Sequence, residues 1–256
     1  MKLAISGKGG VGKTTLTALL AREAVSRGYK VLAVDADPDA NLASTLGIAE
    51  ELTPLAELRD LIKERTGGVA GLFKLNPRVD DIPDRYSVCK DGVRLMVLGA
   101  IRRGGGGCAC PESSFLRGLL AHMLLERDEL VLVDMEAGIE HLGRGTAQGV
   151  EALLVVVDPD RRSLETAARI AGLAEEIGLR RVLAVGNRVH GPQDREYIEE
   201  NLPKLPLLGH IGYSEELRLS GREGLSVPAG PLRREIEAIF NALRARLPEG
   251  GQAPDG

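Results

Sequence analysis

Residues 6–15 read SGKGGVGKTT, which fits the pattern G-x-x-x-x-G-K-[ST] provided that it follows a strand and opens a helix. That spacing suits one chemistry. Glycines let successive backbone N–H groups turn inward around phosphate oxygens, and the following helix N-terminus adds partial positive charge. Gly9, Gly10, Val11, Gly12, Lys13, Thr14 and Thr15 are the expected phosphate-binding residues. Among them, Lys13 reaches the β- and γ-phosphates, and the Thr14 hydroxyl suits Mg²⁺. Lys8 is a second lysine inside the loop. The general pattern does not need it, and read by itself it is a solvated loop residue.

Two further stretches bring carboxylates to the ends of apolar runs. VDADPDAN places Asp35 and Asp37 just past one run, and LVLVDMEAGIEH places Asp134 at the end of another, with Gly138 four residues on. Ligands of open parallel sheets gather at strand C-termini. A carboxylate there can hold Mg²⁺ through water or orient an attacking water. Gly138 can present its N–H to a γ-phosphate, and segments ordered in that way are released on hydrolysis.

The third constellation is GGGGCACPESS, residues 104–114. Cys108 and Cys110 precede a patterned helix, so a helix N-terminus and nearby Arg102 and Arg103 favour the thiolates. A bond between them would close a small, strained ring. Two thiolates are also too few for a closed structural zinc site. Two C-x-C units meeting on a two-fold axis supply four sulfurs. Tetrahedral S₄ suits Zn²⁺ and square-planar coordination suits Ni²⁺. The glycines from Gly104 to Gly107 would let such a site open and close.

These residues need a frame. KLAIS, KVLAVD, GVRLMVLG, ELVLVD, ALLVVVD and RRVLAVGN are apolar at nearly every position, as strands covered on both faces are. Helical patterns lie between most of them, at 114–126, 162–177 and 192–201, and Gly28 is placed to stop the first helix. The fold class is therefore α/β: a doubly wound, mostly parallel sheet with helices on both faces. Lys90-Asp91-Gly92 can turn a hairpin and add one antiparallel edge strand. No linker divides the chain, so residues 1–248 are expected to be a single domain, with a disordered tail at 249–256.

The 256 residues carry a formal net charge of −4, no Trp and three cysteines. Scattered Arg and Lys with that charge argue against a dedicated nucleic-acid surface. Neither a membrane span nor a signal peptide is expected, so the protein is expected to be cytoplasmic, without nucleic acid or membrane as partner. Close cysteine pairs there point to metal or redox chemistry. Cys89 sits in a strand-like context that suits packing. His141 just follows the Asp134 segment and suits a surface or packing role. The C-terminal helix pattern at about 232–247 suits a core-facing helix.

KGGVGKTT resembles the deviant phosphate loop of the MinD/ParA/nitrogenase iron protein superfamily. That resemblance implies a MinD-like P-loop ATPase that forms a homodimer with ATP or ADP and Mg²⁺. It implies that Lys8 crosses the interface to the partner's nucleotide. It makes Asp37 the hydrolysis residue, with Lys8 and Lys13 in the catalytic set, and puts Asp35 near Mg²⁺. The segment AVGNRV is similar to the superfamily's adenine-reading segment, which assigns Asn187 to the base. Arg188 departs from the more usual Asn-Lys.

Together with VDADPD, GGGGCACPESSFL and DMEAGIEHLGRGTA, the loop resembles the CooC-type ATPases. That likeness implies a metallochaperone that binds nickel, or zinc, at a Cys108–Cys110 site shared between two chains. Its client would be a nickel-containing carbon monoxide dehydrogenase, or acetyl-CoA synthase. Two other readings stand beside it. An iron–sulfur electron carrier would need a cysteine past the Asp134 segment, and EAGIEH has none. A positioning ATPase of the MinD/ParA kind gives C-x-C no role.

Overall fold

The structure, a computed structural model, describes residues 1–67, 74–99, 111–125, 129–139, 142, 144–202, 205–223, 225–228, 230 and 232–247. Cys108, Cys110, the glycines before them, His141 and the tail at 249–256 lie outside the described residues.

The chain alternates strand and helix. It runs β1 (Lys2–Gly7), α1 (Lys13–Ser26), β2 (Val31–Ala36), α2 (Leu42–Leu46), α3 (Arg59–Thr66), α4 (Ile82–Tyr86), β3 (Val88–Lys90) and β4 (Val93–Val97). Next come α5 (Pro111–Leu125), β5 (Leu130–Met135), α6 (Arg144–Ala147), β6 (Ala152–Val157) and α7 (Arg161–Glu176). The described chain closes with β7 (Val182–Val189), α8 (Pro192–Asn201), β8 (Leu207–Gly212), α9 (Glu215–Glu223) and α10 (Arg233–Arg244).

The eight strands form one sheet in the order β3-β4-β2-β5-β1-β6-β7-β8. Every pairing is parallel except β3 with β4. Successive side chains on a strand point to opposite faces, so each central strand feeds two cores. Leu3 and Ile5 of β1 pack with α1, α2 and α10 on one face. Ala4 of β1 and Leu32 and Val34 of β2 pack with α3, α5 and α7 on the other. Burial on both sides is why β1, β2, β5 and β6 are buried along their whole length and read as unbroken apolar runs. The expected inner face of α5 is also present: Leu116, Leu119, Leu120, Met123 and Leu124 are all buried.

The punctuation follows the expected chemistry. Gly28 takes φ 85 just past α1. Its N–H bonds the Val25 carbonyl at 2.9 Å, and the Tyr29 N–H bonds the Ala24 carbonyl at 3.1 Å, the paired bonds of a Schellman stop. The β3–β4 hairpin turns on Asp91 and Gly92, with φ 50 and 82, the two positive values that a type I′ turn requires. Lys90 therefore pairs with Val93, and Cys89 lies exposed on the edge strand.

The sequence pattern misses β8. Its residues LLGHIG carry two glycines and a histidine, and an edge strand covered on one side needs no continuous apolar run. The pattern also ends β7 two residues early: the run RRVLAVGN stops at Asn187, and the strand continues to Val189. No described helix is long and apolar enough to cross a membrane.

Candidate functional site

The fold brings the C-terminal ends of β2, β5, β1, β6 and β7 to one rim, in that spatial order. The loop between β1 and α1 rises from the middle of it. Gly7, Gly10 and Gly12 have φ 148, 75 and 98, a region open to glycine at little cost. Gly12 is the N-cap of α1 in the left-handed region, so the loop enters the helix through a backbone that suits glycine. Gly9 and Gly10 are exposed, and Val11 is buried. The mouth is open to solvent while its floor is packed.

Lys13 is the first residue of α1 and is only 6% exposed. Its Nζ lies 3.5 Å from the Lys8 carbonyl, a long contact for a buried ammonium. Asp35 and Asp134 are register neighbours across β2 and β5, and both are fully buried. The Asp35 carboxylate accepts from the Asp37 N–H at 3.1 Å and from the Leu42 N–H at 2.9 Å. Burial still raises its pKa to about 6, against those two bonds.

Asp134 is less well served. Neither carboxylate oxygen has a hydrogen-bond partner among the described residues. Burial raises its pKa to about 7. The neighbouring Thr14 hydroxyl and Lys13 ammonium pull it down, and the charges of Asp35 and Asp37 push it up. Thr14 thus stands beside the carboxylate without an aligned hydrogen bond to it.

An unsatisfied buried carboxylate next to a threonine hydroxyl fits Mg²⁺. Among the described residues no group of three or more His, Cys, Asp or Glu is arranged to hold a metal.

The remaining expected residues hold one another. Asp37 accepts from the Asp39 N–H at 3.0 Å, which shapes the turn carrying it. Gly138 is buried with φ 145, and its N–H points at Ser6 Oγ, 3.3 Å away. Ser6 in turn donates to the Gly138 carbonyl at 2.8 Å. For Gly138 to meet a γ-phosphate it must exchange that bond. The Asn187 amide donates to the Val11 carbonyl at 2.7 Å, so in this structure it braces the phosphate loop. Lys8 pairs with Asp160 at 3.3 Å.

Ser6, Asp158 and Asp160 join this site without having been singled out by their sequence. Asp158 directly follows β6, in the same relation to its strand that flagged the other carboxylates. It pairs with Arg188 at 3.1 Å, and Arg188 also donates to the Gly10 carbonyl at 2.7 Å. Burial raises the Asp158 carboxyl above its ordinary range, against the pull of Arg188. Arg188 holds φ 54, a left-handed backbone uncommon outside glycine. The guanidinium and the Asn187 amide grip adjacent carbonyls of one loop.

This closeness, with the positive φ, makes a side chain at Gly12 costly. A Cβ there would fall 2.4 Å from Asn187 Nδ2 while the backbone stayed at φ 98. Gly12→Ala is expected to destabilise the protein by about 1–3 kcal/mol and to weaken nucleotide binding. Urea unfolding and nucleotide titration of the variant check both effects. Unchanged nucleotide affinity would mean that the Asn187 brace does not shape the loop.

Residues 2–227 match the family model described as the CobQ/CobB/MinD/ParA nucleotide binding domain. The chain is 44% identical to the carbon monoxide dehydrogenase accessory protein CooC of Rhodospirillum rubrum, over 96% of this chain and 97% of that protein. It is 43% identical to an uncharacterised ATP-binding protein of Methanocaldococcus jannaschii, over 95% and 97% of the two chains. Among solved structures, the MinD cell division protein of Aquifex aeolicus superposes with a TM-score of 0.67 at 22% identity, covering 98% of this chain and all of that one. That last likeness shows the fold.

Proposed function

This chain belongs to the CobQ/CobB/MinD/ParA nucleotide-binding family, and from that premise we propose that it is an ATP-driven, dimeric nickel carrier serving a carbon monoxide dehydrogenase. It is an ATPase. The observation that carries the client assignment is the identity with CooC along nearly the whole of both chains. The recipient is a nickel-containing carbon monoxide dehydrogenase, or acetyl-CoA synthase as the alternative client.

The chemistry follows from the rim. The loop amides of Gly9 to Thr15 bind the phosphates, and Lys13 neutralises the charge that grows between the β- and γ-phosphates. Thr14 and Asp134 would hold Mg²⁺, which would add further neutralisation on the phosphate oxygens, with Asp35 nearby. Asp37, half-exposed at the mouth, orients the attacking water. Asn187 contacts the adenine base, for which its amide has to release the Val11 carbonyl. Lys8 reaches the nucleotide of a second chain, so hydrolysis is coupled to association. The Asp35–Asp37 and Asp134–Gly138 segments respond to the γ-phosphate and transmit its loss.

Nickel is the cargo. Cys108 and Cys110 of each chain meet across the two-fold axis, and their four thiolates take one ion. The test is a nickel titration of the metal-free protein, with and without nucleotide, followed by absorbance and light scattering. The expected result is a thiolate-to-nickel charge-transfer band that saturates at one ion per two chains, abolished in Cys108→Ala and in Cys110→Ala. Saturation without dimerisation, or a band that survives both substitutions, overturns the shared site.

A further inference from the structure

We infer that the Ser6 hydroxyl is a positioning group that holds Gly138 in its nucleotide-free place, and so sets how strongly the protein prefers a nucleoside triphosphate to a diphosphate. The inference rests on the reading above in which the Asp134–Gly138 segment responds to the γ-phosphate. Ser6 is the last residue but one of β1 and is fully buried. Its hydroxyl donates to the Gly138 carbonyl at 2.8 Å and accepts from the Gly138 N–H at 3.3 Å. The Glu136 carbonyl stands 3.4 Å from the same oxygen. Among the described residues, the hydroxyl therefore finds all of its partners in the stretch that follows β5.

The two sides of this contact differ in freedom. Ser6 sits in a strand paired on both edges, with β5 on one side and β6 on the other. It cannot follow a moving neighbour. Gly138 lies past the end of β5 and holds φ 145, a backbone that glycine adopts at little cost. The segment can turn at this residue with no side chain to clear.

Moving the Gly138 N–H to a phosphate breaks both bonds with Ser6. The N–H gains a charge-assisted partner in exchange. The hydroxyl gains none and stays buried in β1. A buried polar group stripped of its partners is costly, and that cost falls on the triphosphate state alone. A diphosphate leaves Gly138 in place, and the hydroxyl keeps both bonds. After hydrolysis the same two bonds draw the segment back.

Ser6→Ala removes the hydroxyl and leaves the strand. Ser6→Thr keeps a hydroxyl on a side chain that suits a strand. Calorimetric titration of parent and variants with ADP, and with a non-hydrolysable ATP analogue, each with Mg²⁺, gives the ratio of the two affinities. The Gly138 amide resonance, followed in nitrogen-labelled protein with each nucleotide, reports whether this residue senses the γ-phosphate.

The expected result is that Ser6→Ala raises the preference for the ATP analogue over ADP by about 5- to 100-fold, the effect of no longer stranding one buried hydroxyl. ADP affinity is expected to stay unchanged, and Ser6→Thr to keep the parent's ratio. A purely structural role would weaken both nucleotides together, and that result would overturn the inference. So would an unchanged ratio, a ratio shifted towards ADP, or a Ser6→Thr protein that behaves as Ser6→Ala does. In each of those cases, a Gly138 resonance that differs between the two nucleotides leaves the γ-phosphate reading standing. If the parent's resonance is the same with both, that reading itself fails and the role of Ser6 falls with it.

Discussion

Lys13→Met is expected to leave a folded protein that hydrolyses ATP about 10²–10³-fold more slowly, the usual loss on removing one donor aimed at developing charge. The reason is where the ammonium sits. It is buried at the first position of α1, and its contact with the Lys8 carbonyl is long at 3.5 Å. A buried charge with poor hydrogen bonding destabilises the ligand-free protein, and on the proposed reading phosphate would supply what is missing. Methionine matches the length of the side chain and removes the charge. The variant is therefore expected to melt no lower than the parent without nucleotide, and to gain less stability from ATP. Single-turnover hydrolysis and thermal melts with and without nucleotide measure both. Hydrolysis within tenfold of the parent would mean that Lys13 is not the phosphate's counter-charge.

Asp134→Asn carries the second large effect, and it has a pH signature. The carboxyl ionises near 3.8 in an unfolded chain and near 7 when folded. Between those values the folded state holds a proton that the unfolded state has lost, so stability falls as pH rises from about 4 to about 7. Asp35, raised to about 6, adds a smaller slope of the same sign.

Asparagine cannot ionise, so the variant is expected to lose most of the Asp134 slope and to melt higher than the metal-free parent at pH 8. Added Mg²⁺ should stabilise the parent at pH 8 more than at pH 5, and the variant little at either. Hydrolysis should fall by about 10²–10³-fold. Melts of parent and variant across pH 5–8, with and without Mg²⁺, decide this. A parent whose melting temperature is flat over that range would contradict the buried, unsatisfied carboxylate.

The two variants share one principle. The site is assembled from charges that the bare fold satisfies poorly, and on the proposed reading a nucleotide with its cation would satisfy them. Function and ligand-free stability therefore pull against each other at Lys13 and Asp134, and a substitution that abolishes turnover can firm the fold.

Much of this was legible in the chain because the causes are local. Positive φ at Gly10, Gly12 and Gly28 follows from a loop and a helix end that only glycine fits without strain. The unbroken apolar runs of β1, β2, β5 and β6 follow from cover on both faces, and Asp-Gly at 91–92 from the twist of a hairpin. Each of these signals lies within a dozen residues of its effect.

Where contact joins distant segments, sequence is silent. β8 was hidden because its two glycines and histidine break the alternation that a half-covered strand shows. Nothing near Asn187 says that its amide will rest on Val11, or that Arg188 will hold Gly10 and Asp158. Lys8 could be read as a lysine bound for another chain. That Asp160, 152 residues later, pairs with it depends on β6 lying beside β1. The chain by itself determined the glycine-rich loop between a strand and a helix, and the alternation of apolar strands with helices around it. Strand order decided the rest, because only the sheet sets which loops share a rim and which charges there go without partners.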